Sequence, residues 1–138
     1  MGRKSSAVYE INYRIVWCPK YRKAILVKEY KKFLEEVIKT IAYTKNWEIL
    51  EMEIMPDHIH LFISTDPFES PTNIVKILKG ITAKRMFERF PELKENHFWN
   101  SGLWSPSYYI GTAGQVSAET IKKYIAGENN RKRNSSSG

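Results

Sequence analysis

The sequence predicts an α+β domain: a ferredoxin-like or RRM-like βαββαβ antiparallel sheet with helices on one face. Three observations predict it. Segments near 7–17, 47–55 and 58–64 alternate apolar and polar residues with a period of two, as strands do. Two segments between and after them carry apolar residues at helical spacing. A last short alternating stretch then completes the order strand, helix, strand, strand, helix, strand.

In "AVYEINYRIVW" (7–17), Tyr9, Ile11, Tyr13, Ile15 and Trp17 fall on one face, and Pro19 ends the strand. From 28 to 45, Phe33, Val37 and Ile41 recur every four residues with Leu34 and Ile38 beside them, which predicts an amphipathic helix. "WEILEMEIM" (47–55) alternates again, with Leu50, Met52 and Ile54 together. Pro56 and Asp57 are turn residues, so 47–64 reads as a hairpin. Ser70 followed by Pro71 is an N-cap with proline at the first helical position. The helix it opens places Ile74, Ile77, Leu78 and Ile81 on one stripe. Residues 90–104 read as a loop and 107–112 as a strand. Ser117 can cap a last helix over 118–128. The expected organisation is one domain over 1–128 and a polar, disordered tail over 129–138.

Composition narrows the function. The 138 residues suffice for one core, and the net charge of +7 suits a polyanionic partner. Four Trp, eight Tyr and six Phe, several beside Lys or Arg, suit unpaired nucleic acid, since rings stack on bases while cations follow phosphates. Cys18 is the only cysteine, which excludes an intramolecular disulfide and a cysteine-based zinc cluster. No apolar run reaches membrane-spanning length and the first residues lack a signal-peptide pattern. A cytoplasmic protein with no membrane partner is expected.

"MPDHIHLFIS" (55–64) carries the chemistry. On a strand, His58, His60, Phe62 and Ser64 share one face while Ile59, Leu61 and Ile63 share the other. The apolar set must face the helices, so both imidazoles lie side by side on the open face. Two imidazoles can hold a divalent cation but need further ligands. His97 is the remaining histidine and lies in the loop. On these residues alone, the pair reads either as metal ligands or as surface histidines.

Several further blocks decide between these readings. "VWCPKYRK" (16–23), "MPDHIHLFIS" (55–64), "SPTNIVKILKGITAK" (70–84), "LWSPSYYIGTAGQVS" (103–117) and "IKKYI" (121–125) together resemble the small single-tyrosine transposases of the HUH superfamily, in order and across nearly the whole chain. The resemblance implies a homodimer that cuts and rejoins single-stranded DNA at mobile-element ends, recognises subterminal hairpins and uses Mg²⁺ or Mn²⁺. It implies Tyr124 as nucleophile on the C-terminal helix, forming a 5′-phosphotyrosine intermediate, and His58 and His60 as metal ligands. The family's third ligand is usually a glutamine four residues after the tyrosine. Here that position is Glu128, a departure, with Asn129 and Asn130 as alternatives. Residues i and i+4 share a helix face, so Tyr124 and Glu128 can reach one site. Gly127 between them costs about 1 kcal/mol of helix propensity. Arg14, Lys20, Arg22, Lys23, Lys76, Lys79, Lys84 and Arg85 are the expected DNA contacts. The resemblance further implies that each site joins the histidines of one chain to the tyrosine of the other. Two other readings remain: a rolling-circle initiator or relaxase with the same chemistry, and a non-catalytic single-strand-binding module, either decayed or RRM-like.

Overall fold

The structure is a computed structural model that describes residues 10–98, 101–112 and 125. Its elements are β1 (Ile11–Trp17), α1 (Lys28–Lys45), β2 (Glu48–Met55), β3 (His58–Thr65), α2 (Pro71–Arg89), α3 (Pro91–Asn96) and β4 (Tyr109–Thr112). A tight 3₁₀ turn, Lys20–Arg22, follows β1. The sheet order is β2-β3-β1-β4, and each neighbouring pair is antiparallel. This is the expected βαββαβ arrangement. The helix expected over 118–128 lies outside the described residues except for Ile125, which is helical, and the tail over 129–138 lies outside them altogether.

Local chemistry sets the element ends. The Ser70 hydroxyl accepts from the Asn73 amide at 3.1 Å and Pro71 occupies the first turn, as the sequence predicts. Asn46 ends α1 in the left-handed region, its amide returning to the Ala42 and Tyr43 carbonyls. One face of the sheet packs on α1 and α2. Ile15, Trp17, Ile59, Leu61 and Ile63 are fully buried there with Leu34, Ile38, Ile74 and Leu78. Each such side chain contributes about 1.5–3 kcal/mol on leaving water.

Three expectations need correction. The alternation in β2 is broken by a bulge between Ile49 and Glu51. Leu50 is therefore exposed and Ile49 joins Met52 and Ile54 toward the core, because one extra residue exchanges the faces. On α2 the buried stripe is Ile74, Val75, Leu78, Thr82 and Met86, and Ile81 is exposed. The stripe rotates because α2 also carries the segment before β4. The buried Thr82 hydroxyl donates to the Leu78 carbonyl at 2.6 Å and accepts from the buried Trp104 indole at 2.9 Å. Lys79 donates to the Ser105 carbonyl at 2.6 Å. Finally, the expected 90–104 loop contains α3, which buries Leu93. Pro91 at its first turn is the signal that Pro71 gives for α2.

Thr82→Val keeps the shape of that contact but leaves the buried Trp104 N–H without its acceptor. Urea unfolding should show a loss of about 1–3 kcal/mol. In a Trp104→Phe background the same substitution should cost clearly less, since the two groups spend their bonds on each other.

Candidate active site

The outward face of β3 is where alternation leaves side chains half-buried: His58, His60 and Phe62, against fully buried Ile59, Leu61 and Ile63. Cross-strand pairing assembles a patch around them. His60 sits opposite Val16 on β1 and Glu53 on β2, Phe62 opposite Arg14 and Glu51, and His58 opposite Met55. Tyr109 on β4 joins beyond Val16. Val16 is fully buried although it shares the face with His60, so the sheet is not bare there.

The two imidazoles are held differently. His58 Nδ1 lies 3.0 Å from Asp57 Oδ1. An ionised carboxylate only accepts, so Nδ1 is the donor in this contact, and in the neutral ring the lone pair then sits on Nε2. Asp57 uses its other oxygen, Oδ2, to pair with Arg22 Nη2 at 2.7 Å. A carboxylate behind a histidine fixes tautomer and ring angle in the way metal-binding histidines are commonly held. His60 Nδ1 is 4.0 Å from Glu53 Oε1, a long contact. Its Nε2 is buried with no hydrogen-bond partner among the described residues. Burial holds the His60 pKa below its ordinary value, and Arg14 and His58 push the same way against Glu53 and Glu51. His60 is therefore a neutral imidazole with an unspent buried nitrogen, the form a divalent cation requires. The pair fits a metal ion.

The described residues hold no group of three His, Cys, Asp or Glu that could complete a site. His97 caps the end of α3 beside the Phe98 ring. Tyr124 and Glu128, the expected nucleophile and third ligand, and Asn129 and Asn130 lie outside the described residues. One contact reaches their neighbourhood: Arg22 Nη1 donates to the Ile125 carbonyl at 3.3 Å.

The expected DNA contacts fall in two places. Arg14 lies on the open face, its guanidinium 4.0 Å from the Phe62 ring centre and 3.7 Å from Glu51. Lys20, Arg22 and Lys23 lie in and after the 3₁₀ turn, Arg22 reaching Asp57 behind His58 and Lys23 with its ammonium 6.0 Å from the Phe98 ring. Lys76, Lys79, Lys84 and Arg85 are on α2, in the layer behind the sheet. Lys76 and Lys84 are exposed, Arg85 lies 5.7 Å from the Phe33 ring, and Lys79 is bonded within the fold. Asp57 was legible only as a turn residue. Its place directly before His58 was the one available signal of its second role.

Residues 7–128 match the family described as "Transposase IS200 like". The chain is 40% identical over 131 residues to the ISDra2 transposase TnpA of Deinococcus radiodurans, an alignment covering 95% of this chain and 93% of that protein. It is 32% identical over 128 residues to the transposase for insertion sequence element IS200 of Salmonella typhimurium, covering 91% and 83%. A crystal structure of a Deinococcus radiodurans protein assigned as a transposase superposes with a TM-score of 0.81 at 36% identity, over 89% of this chain and 94% of that one. A REP-associated tyrosine transposase bound to a REP hairpin shares the fold at a TM-score of 0.54 and 13% identity, over 83% and 62%. On the family match across most of its length and on these relatives, the chain belongs to the IS200-like transposase family.

Proposed function

We propose that this transposase cleaves and rejoins single-stranded DNA at the ends of its mobile element through Tyr124, in the cytoplasm, with Mg²⁺ or Mn²⁺ held by His58, His60 and Glu128. The observation that carries this reading is the pair of imidazoles on one face, one braced by Asp57 and the other with a buried Nε2 that has no partner among the described residues. The Arg22 contact to the carbonyl next to Tyr124 supports a tyrosine close to that pair.

A free tyrosine has a pKa of about 10, so the phenolate at pH 7 costs about 4 kcal/mol. Bound divalent metal supplies charge stabilisation at a phosphate oxygen. Tyr124 Oη attacks the scissile phosphorus and the P–O3′ bond breaks. The 3′ oxygen leaves as a hydroxyl and the 5′-phosphate stays on Tyr124. A second 3′-OH reverses the step on a new strand. One phosphodiester-like bond is made for each broken, so no ATP is needed. Arg14 on the histidine face, and Lys20 and Lys23 in the turn that carries Arg22, suit the DNA backbone. Subterminal hairpins are the proposed recognition element.

The rival with a specific observation is a non-catalytic single-strand binder. Phe62 and Tyr109 lie on the sheet face that RRM-like domains use for bases. Arg14 covers Phe62, however, and the histidines occupy the centre of the same face. A rolling-circle initiator or relaxase would share the chemistry, but the relatives of similar length favour transposition.

Three experiments test the proposal. On hairpin-bearing single strands that include the element end, Tyr124→Phe should bind normally and form no covalent adduct; the same loss should follow from His58→Ala with His60→Ala. An adduct on Tyr124→Phe would remove the tyrosine from its role. In metal titrations of cleavage, Glu128→Ala should need at least about tenfold more Mg²⁺, the usual order for losing support at a metal site, with Glu128→Gln intermediate. An unchanged titration would move the ligand to Asn129, Asn130 or water.

The third concerns the homodimer. The outer edge of β4 has no strand partner among the described residues, which leaves room for pairing across a two-fold axis. If sites are shared between protomers, mixing Tyr124→Phe with the double-histidine variant should restore adduct, carried only by the double-histidine chain. Silence after confirmed subunit exchange, on DNA that the unmodified protein cuts, would mean that each chain uses its own tyrosine.

A further inference from the structure

We infer that Arg22 is a positioning residue, a guanidinium bridge that sets the orientation of His58 and the docking of the segment bearing Tyr124 together. The inference rests on the roles proposed above for His58 and Tyr124.

Two bonds leave one planar group. Nη2 pairs with Asp57 Oδ2 at 2.7 Å, and Asp57 Oδ1 holds His58 Nδ1 at 3.0 Å. Nη1 donates to the Ile125 carbonyl at 3.3 Å, across 103 residues of sequence. Ile125 is bonded covalently to Tyr124, so the imidazole and the tyrosine are each one step from the same guanidinium. The acceptor suits the donor. The helix expected over 118–128 places the Ile125 carbonyl among its last four, which lack amide partners within the helix. A cation there also meets the negative end of the helix dipole.

The backbone is strained to deliver this side chain. Tyr21 and Arg22 are consecutive non-glycine residues at φ of 59° and 53°. Such conformations cost energy and persist where surrounding contacts over-determine them. Here the Lys20 amide donates to Leu103 O and the Arg22 amide to Pro19 O, each at 2.8 Å. The result turns Arg22 inward, to 18% side-chain exposure, whereas most of the described basic residues face water. A residue evolved only to meet phosphate has no need of that turn. Lysine could supply the charge, but an ammonium lacks the rigid fork that spans a carboxylate and a carbonyl at fixed angles.

The test uses the full-length protein without DNA or metal, so it needs no catalysis and can fail independently of the Tyr124 assignment. Hydrogen exchange of peptides covering 121–128 is followed by mass spectrometry for the unmodified protein, Arg22→Met and Arg22→Lys. Both substitutions should speed exchange in that segment by about tenfold, the shift expected for one lost hydrogen bond from a charged donor, while strand β3 and helix α1 keep their protection. Adduct formation at saturating metal and DNA should slow, with hairpin affinity retained. Should Arg22→Met not fold, Arg22→Lys alone decides. Unchanged exchange over 121–128 with weakened hairpin binding would make Arg22 a phosphate contact and overturn the inference. Exchange that rises throughout the sheet would overturn it too, as would a segment already unprotected in the unmodified protein.

Discussion

The period-two register of β3 is the constraint on which the rest of this structure depends. β3 lies in the middle of the sheet, paired with β1 over Ile59–Thr65 and with β2 over His58–Ser64. One face buries Ile59, Leu61 and Ile63, so a slip of one residue would place two imidazoles in the apolar core and three aliphatic side chains in water. The aliphatic set thereby fixes the direction of the histidines. Core and candidate active site are two faces of the same eight residues.

Around the histidines the molecule departs from its own economy. His60 carries a buried nitrogen without a partner, Arg22 a buried Nε without one, and the turn before the site holds two strained residues. In the core, Thr82 and Trp104 satisfy each other, while the buried Trp17 indole nitrogen is left without a partner among the described residues. Two of the three unpartnered buried side-chain atoms among the described residues, and two of the four positive-φ residues, thus fall at the histidines and the turn beside them. The neutral state of His60 follows from the same burial. A charged imidazole would repel a cation, whereas a neutral one offers its lone pair.

Much of the fold was legible because periodicity and capping are local. The ends of α1, the Ser70–Pro71 start of α2 and the faces of β3 needed only neighbouring residues. The failures share one cause, a tertiary partner that no window contains. The β2 bulge shifts Leu50 outward, and Trp104 draws Thr82 inward and turns α2 away from the Ile77–Ile81 stripe. The histidine pair was legible from alternation, but Tyr124 and Glu128 took meaning only from the family resemblance. Asp57 and Arg22 were each read for one property, turn chemistry and charge, while their pairing across 34 intervening positions depends on the fold.

That pairing changes how the basic charge of the chain is to be divided. A net charge of +7 invites every Lys and Arg to be counted toward DNA. The fold spends some of them internally. Arg22 is committed to a carboxylate and a carbonyl, Lys79 to the carbonyls of Ser105 and Ser107, and Arg14 rests between Phe62 and Glu51. These contacts differ in strength. The Arg14–Glu51 pair is long and its carboxylate exposed, so it yields readily to a phosphate. The Arg22–Asp57 pair is short and half-buried, and breaking it would leave a carboxylate uncompensated behind His58. Of the two arginines, Arg14 on the open face is therefore the one freer to meet a polyanion.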